Sequence, residues 1–345
     1  MEQWQRSLKD SIYSPVQLAG RFSADMEALE PVIIRYPMRI TRYYLGLIES
    51  PGDPIWRQCI PDPEELTDNQ QSDPLNEEGL SPVPGLIHRY PDRVVWLVSH
   101  QCAVYCRFCL RKGRVGCLGK DAGHVDYDEC LNYIADNPDI RDVILSGGDP
   151  LLLDDEILAT ILAGLRRIPH VEIIRIGTRT PVTLPERITA KLCRMLKRFH
   201  PLFVNTHFNH PREITEASAR ACARLADAGI PLGNQTVLLR GVNDRPEVMK
   251  RLMQQLLAIR IRPYYIHQMD LVQGTGHFRT KIDRGLEIMA ALRGHTSGLA
   301  TPYYVVDLPG GRGKVPLLPG YDREKEGTFL LRNYRGEIVE YEDVE

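Results

Sequence analysis

The sequence predicts an α/β fold: a partial (β/α)6 TIM-like barrel with an N-terminal helical region and a short C-terminal extension. Three observations point there. From Arg93 onward, short apolar runs alternate with segments of helical spacing. The alternation repeats about six times, too few for a closed eight-stranded barrel. Chemistry-bearing residues follow the apolar runs, where α/β folds gather their ligands.

The runs at 94–99 (VVWLVS), 142–148 (DVILSGG), 172–178 (EIIRIGT), 201–207 (PLFVNTH), 232–239 (LGNQTVLL) and 263–269 (PYYIHQM) read as buried parallel strands. Between them, DEILATILAGLRRI, LPERITAKLCRMLKRF, REITEASARACARLADAG and RPEVMKRLMQQLLAI carry helical spacing. Gly229 supplies a stop signal after the third of these. The organisation expected is an N-terminal helical region and linker over 1–85, a barrel core over 86–300 and a C-terminal segment over 301–345. The linker, IPDPEELTDNQQSDPLNEEGLSPVPG, is acidic and proline-containing, with few residues able to build a core.

The 345 residues are 43% hydrophobic and 26% charged, values of an ordinary folded chain. A formal net charge of -2 gives no general reason to expect nucleic-acid binding. The polar N-terminus lacks the apolar run of a signal peptide, and no stretch approaches the roughly 20 apolar residues of a membrane span. A soluble, cytoplasmic protein with no membrane partner is expected. Of the eight cysteines, Cys59, Cys117, Cys130, Cys193 and Cys222 are scattered and read as small buried hydrophobes.

The remaining three, Cys102, Cys106 and Cys109, form CxxxCxxC directly after the first strand. Thiolates are soft ligands that suit iron–sulfur clusters and zinc. Three thiolates can hold three irons of a four-iron cluster and leave the fourth open to a small molecule. The competing reading is a zinc site completed by a distant ligand such as Cys117. The aromatic Phe108 before the last cysteine favours the cluster. The next strand ends in SGGDPL, where Gly147 and Gly148 would let backbone approach a ligand closely.

Near the C-terminus, Lys314 follows the glycine-rich turn PGGRG after an apolar strand. There an amine could condense with an aldehyde cofactor, provided a desolvated site keeps it neutral. HRYPDR supplies Arg89, Tyr90 and Arg93, and guanidinium groups match phosphate geometry. Asp270 and Asp307 each end a separate strand. They read either as loop-capping aspartates or as a carboxylate pair that grips a substrate ammonium.

Taken together, WQRSLKD, SPVPGLIHRYPDRV, the cysteine loop, SGGDPLL, RIGTRTPV, THFNHPREIT, GIPLGNQTVLLRGVND, MDLVQGTGHFRT, LRGHTSGLATPYYVVDLPGGRGK and PLLPGY resemble the lysine 2,3-aminomutase family of radical S-adenosylmethionine enzymes. The resemblance covers about residues 3–322. It implies a radical S-adenosylmethionine barrel core and an isomerase that moves an α-amino group to the β-carbon. L-lysine is the favoured substrate; arginine or glutamate, or a lysine aminomutase serving elongation factor P modification, are the alternatives. The implied cofactors are a [4Fe–4S] cluster, S-adenosyl-L-methionine and pyridoxal 5′-phosphate. By position, Cys102, Cys106 and Cys109 would ligate the cluster, and Lys314 would carry the pyridoxal. Arg89, Tyr90 and Arg93 would surround its phosphate. Arg111 would bind the substrate carboxylate, and Asp270 and Asp307 the side-chain ammonium. Gly147, Gly148, His207 and Gln235 would lie near the adenosyl ligand. An electron donor such as flavodoxin or ferredoxin and a homo-oligomer, dimer or tetramer, are also implied. Phe108 stands where lysine enzymes commonly carry His. Arg245 and Pro246 occupy a stretch where clostridial members carry a cysteine, and no cysteine follows Cys222, so no structural zinc is expected.

Overall fold

The computed structural model describes residues 1–18, 21–22, 27–116, 126–320, 322–325 and 328–342. A nine-stranded sheet organises the chain, with its strands in sequence order from one edge to the other. They are β1 (Leu86–Tyr90), β2 (Arg93–Ser99), β3 (Asp142–Gly147), β4 (Ile173–Gly177), β5 (Leu202–Thr206), β6 (Leu232–Leu238), β7 (Arg262–Gln268), β8 (Tyr303–Asp307) and β9 (Lys314–Leu317). β2 through β8 are parallel, while β1 and β9 pair antiparallel at the two edges. Six crossovers therefore link seven parallel strands. Their helices are Tyr127–Asp136, Asp155–Arg166, Ala190–Leu196, Glu216–Asp227, Pro246–Ala258 and Ile282–Leu292. The sheet is an open barrel of the expected class, and β1 and β9 cover the edges that an open sheet would leave unpaired.

Strand alternation separates the core from the lumen. Val143 and Leu145, Ile174 and Ile176, and Leu202 and Val204 are fully buried and point outward to the helices. The helix Asp155–Arg166 answers with Leu158, Ile161, Leu162 and Leu165, a single apolar stripe at helical spacing. The intervening strand residues face inward and are mixed: Ile144, Phe203 and Val237 alternate with Ser146, Arg175, Asn205, Gln235, Tyr265 and His267. An interior that carries polar and charged side chains among apolar ones is a binding cavity instead of a packed core.

The described elements before β1 are all helical, but they are short. Among the described residues before β1, the longest α-helix is Gln3–Lys9, and the others are Glu30–Arg35, Arg42–Leu45 and Trp56–Cys59. Ten prolines within the first 85 residues explain this, because each removes a backbone donor and clashes with a preceding turn. The segment is nonetheless ordered on the barrel: Ile12, Leu18, Met38, Ile40, Tyr44 and Ile55 join the same apolar cluster as the strands. The expected helix LPERITAKLCRMLKRF is also shorter. Its α-helical part is Ala190–Leu196, started by Thr189, whose hydroxyl accepts from the Leu192 N–H. Cys59, Cys130, Cys193 and Cys222 are buried, as expected of small hydrophobes; Cys117 lies outside the described residues. Among the described residues no helix is long and apolar enough to cross a membrane.

Candidate active site

A cavity of about 1050 Å³ opens at the C-terminal ends of the parallel strands and runs down the lumen. Every site residue expected from the sequence lines it: Cys102, Cys106, Cys109, Arg89, Tyr90, Arg93, Arg111, Gly147, Gly148, His207, Gln235, Asp270, Asp307 and Lys314. These residues come from every strand except β4, or from the loops that follow them, so sheet closure alone brings them together.

The cysteine loop leaves β2 and is pinned from the N-terminal region. The Tyr105 N–H donates to the Arg39 carbonyl at 2.9 Å, the Arg107 N–H to the Gln58 carbonyl at 2.9 Å, and Arg39 Nη1 to the Cys102 carbonyl at 3.3 Å. All three thiols are free. Burial, then Asp149 and the other two thiols, pushes the Cys102 thiol well above its usual range, and burial with Cys106 pushes Cys109 up to about 11. Thiols gathered on one buried loop are well matched to a cationic centre that takes them as thiolates. A four-iron cluster offers each thiolate its own iron, and three free thiols on one loop of the cavity wall fit that group.

Gly147 and Gly148 also serve the backbone around them. A Cβ on Gly147 would lie 2.3 Å from the Ser99 carbonyl oxygen, and one on Gly148 would lie 2.4 Å from that of Gln101. The close approach these glycines permit is between the ends of β3 and β2, and Gly147 also adopts φ +119°. Beside them Asp149, quoted in the motif without a role, is buried and accepts from Thr178 Oγ1 (2.6 Å), the Arg179 N–H (2.8 Å) and the Leu151 N–H (3.1 Å), tying β3 to β4.

Lys314 and Asp307 are direct cross-strand neighbours in the β8–β9 hairpin. The turn between them requires left-handed backbone at Gly310, Gly311 and Gly313. Lys314 Nζ lies 2.6 and 2.7 Å from the two Asp307 oxygens. The sequence pointed to a dry, unpaired amine; the register instead supplies an ion pair. Asp307 also receives Arg89 Nη1 at 3.3 Å and His267 Nδ1 at 3.4 Å. Burial alone would raise the Asp307 carboxyl, but the hydrogen bond from His267 and the charge of Lys314 hold it down at about 2. Asp270 is opposite in behaviour. Burial and the nearby Asp307 charge push it up to about 7.

Arg89 therefore spends part of its guanidinium on Asp307, while its buried Nε has no partner, and neither has His267 Nε2. Unsatisfied buried polar atoms on a cavity wall, a donor on Arg89 and a ring nitrogen on His267, fit a polar ligand. Tyr90 OH accepts from the Lys314 N–H at 2.9 Å, and Arg93 stacks over the Tyr90 ring at 4.0 Å. A reactive amine beside an arginine–tyrosine pair fits an aldehyde cofactor bearing a phosphate. His207 is lowered to about 4 by burial, His267 and Arg179, so its ring is neutral at physiological pH.

Arg111 is held by a residue the sequence did not single out. Glu77 accepts from Arg111 Nε (2.8 Å) and Nη2 (2.7 Å), and Arg111 Nη1 turns toward Ser146 Oγ at 3.4 Å. Glu77 lies in the segment read as a linker, and its neighbour Glu65 is fully buried on Arg107 and Lys112. Phe108 packs with Leu239, Val242, Met269 and Phe278.

Residues 96–253 match the model of the Radical SAM superfamily, and residues 289–345 match that of Lysine-2,3-aminomutase. The chain is 54% identical over 311 residues to the L-lysine 2,3-aminomutase of Clostridium subterminale, a match spanning 89% of this chain and 75% of that one. It is 50% identical to the L-lysine 2,3-aminomutase of Fusobacterium nucleatum, over 99% of this chain and 82% of that one. A glutamate 2,3-aminomutase from Clostridioides difficile is 47% identical, over 92% and 76% of the two chains.

Proposed function

Because this chain belongs to the lysine 2,3-aminomutase family of radical S-adenosylmethionine enzymes, we propose that its cavity moves the α-amino group of L-lysine to the β-carbon, giving β-lysine. The observation that carries this reading is one cavity whose wall includes both the three free thiols and the Lys314 amine. When bound, the [4Fe–4S] cluster with S-adenosyl-L-methionine supplies radical chemistry at a carbon–hydrogen bond, and pyridoxal 5′-phosphate supplies the aldehyde that carries the migrating nitrogen.

In this reading Cys102, Cys106 and Cys109 hold the cluster, and Gly147, Gly148, His207 and Gln235 form the wall against the adenosyl ligand. Lys314 holds the pyridoxal, with Arg89, Tyr90 and Arg93 toward its phosphate. Arg111 binds the substrate carboxylate through Nη1, the nitrogen that Glu77 leaves free, while Glu77 fixes the plane of the guanidinium. Asp270 and Asp307 receive the ammonium at the far end of the substrate. The Lys314 amine now fills that seat on Asp307. Once it is engaged elsewhere, Asp307 is free to take another cation of the same chemistry. A glutamate side chain brought to the same two carboxylates would be repelled, which favours lysine over the substrate of the glutamate relative. A one-electron protein donor such as flavodoxin or ferredoxin would reduce the cluster.

The test is product analysis. Anaerobic enzyme supplied with both organic cofactors and dithionite should convert L-lysine to β-lysine. Lys314→Ala should lose the pyridoxal absorption band together with turnover. A chain that leaves lysine untouched and converts glutamate would overturn the substrate assignment.

A further inference from the structure

Arg179 follows β4 and is 8% exposed. Each of its three guanidinium nitrogens has a partner. Nε donates to the His207 carbonyl at 3.2 Å and Nη1 to Cys106 Sγ at 2.8 Å. Nη2 donates to Glu213 Oε1 at 2.6 Å, Gln58 Oε1 at 2.6 Å and Tyr44 OH at 3.0 Å. The guanidinium carbon lies 5.2 Å from the ring centroids of both Tyr44 and Phe108. Glu213 is itself fixed: Tyr44 OH donates to Oε1 at 2.6 Å, and the Asn209 and His210 N–H groups donate to Oε2 at 2.6 and 2.9 Å. Four separated chain segments thus hold one cation against one thiol, with its counter-charge on a different guanidinium nitrogen from the sulfur.

We propose that Arg179 sets the reduction potential of the iron–sulfur cluster through Cys106, with Glu213 as the opposing charge; this rests on the cluster reading above. Reduction adds one electron, from an external low-potential one-electron donor, to a cluster whose ligand sulfurs carry part of the added negative charge. No bond is made or broken and no proton moves. A donor directed at a ligand sulfur and a cation beside it stabilise the reduced form more than the oxidised form, so they raise the potential. The Glu213 carboxylate acts in the opposite sense, and more weakly, because it meets a different guanidinium nitrogen from the sulfur. Arg179 is a positioning and tuning residue, since it reaches the chemistry only through Cys106.

The test is an EPR-monitored dithionite titration of the anaerobically reconstituted holoenzyme, without S-adenosylmethionine or substrate. Arg179→Gln should lower the midpoint potential by about 59 mV, a tenfold change in the one-electron reduction equilibrium. Glu213→Gln should move it in the opposite direction. Opposite shifts from neighbouring positions are a signature that a merely structural role would not produce. Potentials equal to wild type in both variants at full iron content would overturn the proposal. Where Arg179→Gln fails to hold iron, Glu213→Gln decides alone, and an unchanged or lower potential overturns it. Wild-type protein that takes up no iron would sink the cluster reading itself, a distinct result.

Discussion

Asp270 offers a quantitative handle on substrate selection. Its carboxyl is pushed from 3.8 up to about 7 by burial and by the Asp307 charge. Three units correspond to about 4 kcal/mol against the ionised form, with the Lys314 and Arg89 charges only partly offsetting it. A substrate ammonium seated between the two aspartates offsets that repulsion, so lysine binds the ionised form of Asp270. The sign follows directly: below pH 7 the carboxyl is protonated before lysine arrives, and binding weakens as pH falls. The ionised fraction drops about tenfold between pH 8 and pH 6, so 1/KM for lysine should drop about tenfold over the same range. Asp270→Asn should remove the slope and lower kcat/KM by about 3 kcal/mol, on the order of a hundredfold. The assay is initial-rate β-lysine formation at saturating cofactors from pH 6 to 8. L-2-aminohexanoate, which is lysine without its terminal amine, serves as a competitive inhibitor whose affinity should ignore both pH and the substitution. A flat 1/KM in wild type, or a slope that survives in Asp270→Asn, would refute the carboxylate-pair argument.

Two further outcomes concern the scaffold. Glu65→Gln removes the counter-charge of Arg107, which has no neutral form to fall back on, and of Lys112, which burial already lowers to about 8. Unfolding free energy from urea denaturation should fall by about 3–5 kcal/mol, and a loss under 1 kcal/mol would contradict the buried network. Gly147→Ala places a methyl group on the Ser99 carbonyl at a backbone angle that L-residues avoid. A cost of about 1–3 kcal/mol from the conformation alone, with reduced iron retention, should appear in thermal unfolding and iron analysis; wild-type values in both would refute the packing.

The strands were legible because their outward residues form apolar runs between turn signals, and sheet order then followed from short connections. The inward residues carried less signal. Arg175, Gln235 and His267 look like interruptions of strand character until they are seen to line the lumen. Gly147 and Gly148 were legible as a close approach but not as to what approaches, since the Ser99–Gln101 backbone is distant in sequence. Glu77 was invisible for a different reason: an acid in an acidic stretch has no feature that separates a buried carboxylate from a solvated one. Arg179 stood in a recognisable motif, yet its partners Tyr44, Gln58, Cys106 and Glu213 lie 34 to 135 residues away. The N-terminal helices were legible in kind, while the prolines keep each of them to a few residues.

The acidic stretch before β1 changes how the chain can be divided. Glu65, Glu77 and Glu78 meet cations within and just after the cysteine loop: Arg107 and Lys112, Arg111, and Arg114 respectively. What looks like a tether between two modules is the anionic half of a clasp around the thiols. A gene fragment beginning at the first strand would keep the sheet's hydrogen bonding and yet strand several cations in apolar surroundings.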